Sequence, residues 1–256
     1  MKSMSVITLN YLHMPQVSII IATYNSSKTL HAALESVYTQ TFQDWECIVV
    51  DGASTDKTLD IVKEYVAKDS RFRFISEPDK GIYDAFNKGW RMAQGKWVHY
   101  LGSDDRLVED GINSLMNTPD LDKVEVVSGH CYIEKLDGSL KPNFSKGFGG
   151  CHQGKLTRRS TLEHFNGFDE QFPILADKDL MVRMEKKRVK IFNVDTFVAY
   201  FSMEGMSQNL KGLWKRTKEL YHVNVHNDVA HPLLLSFNYY IGTLLSINYR
   251  RIRSKL

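Results

Sequence analysis

Cysteine is scarce: Cys47, Cys131 and Cys151 are the only three in 256 residues, and no CxxC spacing links them. That excludes a disulfide framework and a thiolate zinc site, and it suits a reducing compartment. Charge of one sign is also scarce. The net charge of +3 is too small to hold nucleic acid by electrostatics, so no nucleic-acid partner is expected. Long apolar runs are missing. The nearest, Leu233 to Ile247, is interrupted by Ser236, Asn238, Thr243 and Ser246, and falls short of the roughly 20 residues a membrane-spanning helix needs. The opening MKSMSVITLNYLHMPQ has no continuous apolar stretch, so a signal peptide is not expected.

Two nucleotide-binding signatures fail. No GxGxxG follows the first apolar run, which argues against a dinucleotide-binding dehydrogenase. Gly149 to Lys155 fits GxxxxGK, but Leu156 stands where a P-loop has Ser or Thr, and no strand-like run precedes it. What remains is an ordinary globular composition, 43% hydrophobic and 25% charged, long enough for one large α/β domain with or without a tail.

The first half alternates strand-like and helical patterns. Val17 to Ala22 (VSIIIA) is a continuous β-branched run, as in a parallel strand buried on both faces. Ser26 or Ser27 is placed to cap a helix with apolar positions Leu30, Ala33, Leu34 and Val37. Strands are expected at Trp45–Val50, Phe72–Ile75 and Trp97–Leu101, and helices through Leu59–Val66 and Ile82–Met92. Repeated β-loop-α units imply a mostly parallel, Rossmann-like sheet flanked by helices. Farther on, Val124–Ser128 and Cys131–Ile133 read as strands, Lys141–Gly154 as loop, Asp177–Lys187 as helix and Lys190–Asp195 as strand. From Pro232, Leu233, Phe237, Tyr240, Leu244 and Ile247 recur at helical spacing, ending in Arg250, Arg251, Arg253 and Lys255.

Ligands of open α/β sheets bind at the carboxyl ends of the strands. There the sequence places Thr23-Tyr24-Asn25, then Asp51, Gly52, Ser54 and Asp56, then Glu77, Asp79, Lys80 and Gly81, then Ser103-Asp104-Asp105. Each taken alone reads as a turn or cap residue. Carboxylates or hydroxyls at four successive strand ends instead suggest a hard cation, Mg²⁺ or Mn²⁺, completing its shell with phosphate oxygens of a nucleotide.

The ordered segments VSIIIATYN, WECIVVDGASTD, EPDKGIYDAFNKG, WVHYLGSDD and GFDEQFPILADKDLMVRM resemble the GT-A glycosyltransferases of family 2, over roughly residues 15 to 205. The resemblance is to the bacterial branch that builds capsule, colanic-acid-like exopolysaccharide and O-antigen units. It implies a nucleotide-sugar donor, inversion at the anomeric carbon and a divalent metal, Mn²⁺ or Mg²⁺. Carried over, Thr23, Tyr24 and Asn25 line the nucleotide pocket beside Ser54, and Asp51 accepts from the base. Ser103-Asp104-Asp105 is similar to the DXD-type motif with serine first, so Asp104 contacts ribose or sugar and Asp105 the metal. Lys80, Asp84 and Asn87 flank the donor. The base falls in Ala176-Asp177-Lys178-Asp179, where alanine replaces the first acidic residue of the family pattern; Asp177 aligns with it and Asp179 is the fallback. Cys151-His152-Gln153 borders the acceptor, which puts His152 and Gln153 on that side.

The expected domains are an extension over 1–14, a GT-A domain over 15–205 and a helical segment over 206–256. Within the GT-A domain, 15–105 forms the nucleotide half and 106–205 the acceptor half. The implied acceptor is a glycan, free or polyprenyl-diphosphate-linked, and the implied location is cytoplasmic, free or on the inner face of the plasma membrane. The C-terminal stripe either packs on the domain or meets anionic lipid through its basic end. UDP is favoured over GDP by Asp51. Alternatives are a GDP-sugar transferase, a sugar-phosphate nucleotidyltransferase (though its glycine-rich N-terminal loop is absent) and a catalytically silent binder of nucleotide-sugar or glycan.

Overall fold

A computed structural model describes residues 14–135, 137–202 and 210–253, with 210–211 and 246–253 described as backbone alone. The first half is built from β1 (Val17–Thr23), α1 (Leu30–Tyr38), β2 (Trp45–Asp51), α2 (Thr58–Lys68), β3 (Phe72–Ser76), α3 (Ile82–Met92) and β4 (Trp97–Gly102). These are the expected elements, and β3-β2-β1-β4 pair in parallel throughout. Every residue of β1, β2 and β4 is buried, because alternate side chains serve opposite layers. Ile19, Ile21, Cys47, Val49, Trp97 and Leu101 pack under Leu30, Leu34, Val62 and Tyr65 of α1 and α2. Ile20, Ile48, Val50, Val98 and Tyr100 pack with Phe86 and Trp90 of α3.

The second half departs from the sequence reading. It runs β5 (Arg106–Leu107), α4 (Gly111–Met116), β6 (Val126–Glu134), β7 (Leu140–Asn143), β8 (Lys155–Arg158), α5 (Arg159–Phe165), α6 (Ala176–Lys186), β9 (Ile191–Ser202), α7 (Leu210–His226) and α8 (Pro232–Arg253). The nine-stranded sheet continues past β4 as β8-β6-β9-β5, with β7 on β6. Here β8 is antiparallel to β4 and β6, and only β6 and β9 run parallel. The parallel description therefore holds for β1 to β4 and gives way to mixed pairing beyond them. Lys141–Gly154 is not loop throughout: 140–143 pairs with 131–134, and His152–Gly154 forms one 3₁₀ turn. The two expected strands around residue 130 are one strand, β6, with irregular register against β9 near His130.

The cap of α1 also differs. The helix starts after Thr29 without a side-chain cap, and Ser26 Oγ instead meets Ser103 Oγ at 2.8 Å. A local capping role yields to a contact across the strand ends. The C-terminal helices pack on each other, yet Leu233 (72% exposed), Leu234, Phe237 and Leu245 leave an apolar stripe of α8 uncovered. Among the described residues no helix is long and apolar enough to cross a membrane. Arg250, Arg251 and Arg253 lie on α8 where only backbone is described; Lys255 and most of the 1–14 extension fall outside the described residues.

Candidate active site

The parallel register brings four strand ends level: Thr23 pairs with Asp51, Asp51 with Ser76, and Ala22 with Gly102. Their loops interlock. Asn25 N–H donates to Ser54 Oγ at 2.8 Å, and Asn25 Oδ1 accepts from Thr55 N–H at 2.9 Å. Asn25 takes a left-handed φ of 49°, which its short amide side chain tolerates. Thr23 is buried, and Tyr24 projects, 61% exposed. Asp51 is buried with its carboxylate accepting from Ser54 N–H at 3.0 Å and Ser76 Oγ at 2.6 Å, as well as from Ser54 Oγ. It forms the floor of this corner, and a nucleobase reaching it has to displace a serine.

After β4 the chain folds back on its own carboxylates. Asp105 is 2% exposed; Oδ2 accepts from Gln153 Nε2 at 2.7 Å and Gly102 N–H at 3.3 Å, and Oδ1 from Ser202 N–H at 2.9 Å. Burial, with the charge of Asp104 next, pushes the Asp105 pKa up to about 6. A carboxylate in that condition is stabilised by a cation. A Cβ on Gly102 would lie 2.6 Å from Asp105 Oδ2 and 2.9 Å from Asp104 Oδ1, so both oxygens close over one small cradle. Hard oxygen donors there fit Mg²⁺ or Mn²⁺, which use one or two carboxylates plus substrate phosphate. Among the described residues no group of three or more His, Cys, Asp and Glu forms a self-contained metal cage. Asp104 is the partly exposed member of the pair, and its Oδ1 shares the space over Gly102 with Asp105 Oδ2.

Across the site, Asp177 stands in the first turn of α6. Oδ1 accepts from Tyr83 Oη at 3.0 Å and Lys178 N–H at 2.7 Å, and Oδ2 lies 3.4 Å from His152 Nδ1. Burial raises its pKa, but the contact and charge of His152, with the Lys178 and Tyr83 hydrogen bonds, outweigh it and hold the carboxyl below its usual range. For His152, burial lowers the pKa, while Asp177 and the charge of Asp105 raise it more. Each group shifts the other toward its charged form.

Two expected site residues, Asn87 and Asp179, are committed elsewhere. Asn87, 1% exposed, has its amide filled: Nδ2 donates to Phe168 O (2.9 Å) and Glu170 Oε1 (3.0 Å), and Oδ1 accepts from Phe168 N–H and Trp90 Nε1 (both 3.0 Å). It ties α3 to the 168–170 turn and has nothing left for a donor. Asp179, fully buried, binds Arg183 Nε and Asn227 Nδ2, each at 2.7 Å, and so anchors α6 to the end of α7 rather than serving as a fallback base. Gln153, expected on the acceptor side, donates its Nε2–H to the Asp105 carboxylate at 2.7 Å. Asp84 accepts from Lys80 N–H at 3.0 Å at the start of α3 while the Lys80 side chain stays exposed, which puts both on the rim. Tyr83, Ser26 and Ser76 belong to the site without having been expected. Tyr83 immediately precedes Asp84 in the donor-flanking segment, but only the fold shows that its hydroxyl reaches α6.

Volume does not locate this site. Grooves of about 540 and 620 Å³ run along α7, away from both carboxylate groups. A cavity of about 30 Å³ lined by Tyr100, His152, Lys155 and Asp177 is water-sized.

Comparison with known proteins follows the same lines. The chain is 29% identical over 254 residues to UDP-Glc:alpha-D-GlcNAc-diphosphoundecaprenol beta-1,3-glucosyltransferase WfaP of Escherichia coli, covering 94% of this chain and all of WfaP. Its fold matches residues 1–349 of S. aureus TarS in complex with UDP-GlcNAc at a TM-score of 0.67 and 20% identity, covering 85% of this chain and 71% of that one. The chain spans 39% of the longer TarS structure. It also matches the mannosyltransferase PcManGT from Pyrobaculum calidifontis in complex with GDP-Man and Mn²⁺, at a TM-score of 0.64 and 16% identity over 92% of this chain and 75% of that one. The architecture is thus GT-A. Residues 18–189 match the sequence profile described as Glycosyl transferase family 2, and the chain belongs to that family.

Proposed function

We propose that this chain transfers a sugar from a UDP-sugar to a glycan acceptor carried on a lipid diphosphate, with inversion, using Asp177 as the base. One arrangement carries the reading: two carboxylate oxygens converge over Gly102 at the donor corner, while a separate carboxylate on α6 is held by Tyr83, the Lys178 N–H and His152. The donor corner, made by Thr23, Tyr24, Asn25, Asp51 and Ser54, receives the nucleoside. Asp104 and Asp105 hold the divalent ion, Mn²⁺ or Mg²⁺, which neutralises charge on the departing diphosphate when bound. Asp177 takes the proton of the acceptor hydroxyl as its oxygen forms the new bond to the anomeric carbon and the diphosphate oxygen leaves. Tyr83, His152 and Lys178 N–H keep that carboxylate aimed and deprotonated. The relatives that bind or use UDP-sugars support the choice of UDP, and PcManGT with GDP-Man supports GDP as the second reading.

Thermal unfolding with UDP, GDP and ADP, each with and without Mn²⁺, tests the donor. A ligand at about 100 times its Kd adds about 2.7 kcal/mol to the native state, enough to raise Tm by several degrees. The expected result is a Mn²⁺-dependent shift with UDP. A shift with GDP alone replaces the donor, and no shift with any of the three removes the donor site as drawn.

The exposed stripe on α8 and its basic end suit an anionic membrane surface on the cytoplasmic side, where a lipid-linked acceptor would be met. The full chain should sediment with phosphatidylglycerol vesicles, and Leu233→Glu with Phe237→Glu should release it. Equal sedimentation of the double variant would refute attachment through α8.

A further inference from the structure

The 3₁₀ turn at His152–Gly154 stands between the two carboxylate groups of the site. Its first residue puts Nδ1 3.4 Å from Asp177 Oδ2, and its second donates Nε2–H to Asp105 Oδ2 at 2.7 Å. The turn is fixed from behind. Buried Lys155 donates to the carbonyls of Gly149 and Cys151 at 2.9 and 3.1 Å, and Asn143 Nδ2 donates to Cys151 Sγ at 3.1 Å. Gly154 lies so close to β6 that a Cβ there would meet Gly129 O at 2.7 Å. The His152 ring packs edge-on against Phe86, with centroids 5.9 Å apart.

The division of contacts on Asp177 gives this turn a specific task. Tyr83 and the Lys178 N–H both hold Oδ1, whereas His152 is the side chain that meets Oδ2. Two donors on one oxygen leave the carboxylate able to rotate about that oxygen; a third on the other oxygen fixes its plane. We propose that His152 is a positioning residue that orients the Asp177 carboxylate, and that Gln153 orients that of Asp105, so that one turn sets the base and the leaving-group corner relative to each other. The proposal rests on the reading of Asp177 as the base.

Other charged groups near this cluster are Lys155 from β8 beside Asp177, Glu219 from α7 beside Tyr83, Asp105 beside His152, and Lys178, next to Asp177 in sequence. Glu219 is occupied by the N–H groups of Ile174 and Leu175, each at 2.7 Å, and Lys155 by carbonyls. Without His152, burial is left to act against these weaker influences, and it raises the Asp177 pKa. A base with a raised pKa is protonated at higher pH, so the acid limb of kcat moves upward.

The full chain would be assayed with UDP-glucose and UDP-N-acetylglucosamine in Mn²⁺, reading UDP released, and the His152 ring followed by NMR titration. His152→Leu should lower kcat at least tenfold, shift the acid limb to higher pH and leave the donor KM unchanged; an orienting partner of this kind is typically worth 10–100-fold. His152→Asn, which restores an N–H donor near Nδ1, should recover most of the loss. Gln153→Leu should instead raise the Mn²⁺ concentration needed for half-maximal binding of UDP. In the wild type the ring should titrate above a free histidine, and Asp177→Asn should bring it down. An unmoved ring titration in Asp177→Asn overturns the pairing, whatever the turnover. If Asp177→Asn is inactive but His152→Leu has wild-type kcat and an unmoved limb, the positioning role fails and the base survives. Equal losses in the Leu and Asn variants with no limb shift mark a merely structural residue and also overturn it. Wild-type turnover in Asp177→Asn removes the base reading and the proposal together.

Discussion

Asp177→Asn should abolish sugar transfer while nucleotide binding survives. A positioned general base contributes on the order of 10²- to 10⁴-fold, so kcat should fall by about that factor. The substitution keeps the shape of the side chain, and its Oδ1 can still accept from Tyr83 Oη, so α6 should keep its place. What it loses is the anion: an amide cannot take the acceptor proton, and His152 loses its charge partner. Affinity for UDP with Mn²⁺ should stay within about twofold, because the donor corner is built from other strand ends. Turnover close to wild type would show that another group takes the proton. Loss of nucleotide binding in parallel would mean that the substitution had disturbed the fold.

Gly102→Ala should weaken Mn²⁺-dependent nucleotide binding by tenfold or more, equivalent to about 1.4 kcal/mol. Gly102 is not among the residues with left-handed φ, so its lack of a side chain serves space rather than backbone freedom. The added methyl would stand 2.6 Å from Asp105 Oδ2 and 2.9 Å from Asp104 Oδ1, closer than non-bonded carbon and oxygen approach. Asp105 cannot yield, because Gln153 holds one oxygen and Ser202 N–H the other. Asp104 or the strand end must therefore move. Asp105→Ala is the harsher control: it removes the carboxylate and strands the Gln153 amide and Ser202 N–H, each at a cost of about 1–3 kcal/mol. Calorimetric titration of UDP in saturating Mn²⁺ decides the matter. Unchanged affinity in both variants would take the metal site away from this pair.

The first half of the chain could be read from residue order because its signals are local. β1, β2 and β4 appear as largely apolar runs, broken only by single polar residues such as Ser18, Glu46 and His99, since both faces of a parallel strand are covered. The rule that ligands gather at carboxyl strand ends then placed Thr23, Asp51 and Ser103–Asp105 together, and the register confirms that they are level. Beyond β4 the signals weaken. β7 has the sequence LKPN, mostly exposed, and β8 has four residues, so neither is long enough to show a period. Their existence depends on partners distant in sequence: Asn143 against Cys131, and Leu156 between His99 and Val127.

Residue types alone determined that this chain is an α/β protein with a polar, acidic strand-end edge, because periodicity and strand-end chemistry are properties of neighbours in sequence. Tertiary structure alone decided which polar groups are free to act. Asn87, Asp179 and Asp177 are equally polar on paper, yet the first two spend their side-chain contacts tying α3 to the 168–170 turn and α6 to the end of α7, and the third is held by Tyr83 and His152. A buried polar group must be satisfied by whatever the fold brings beside it, and here those partners lie as many as 94 residues away along the chain.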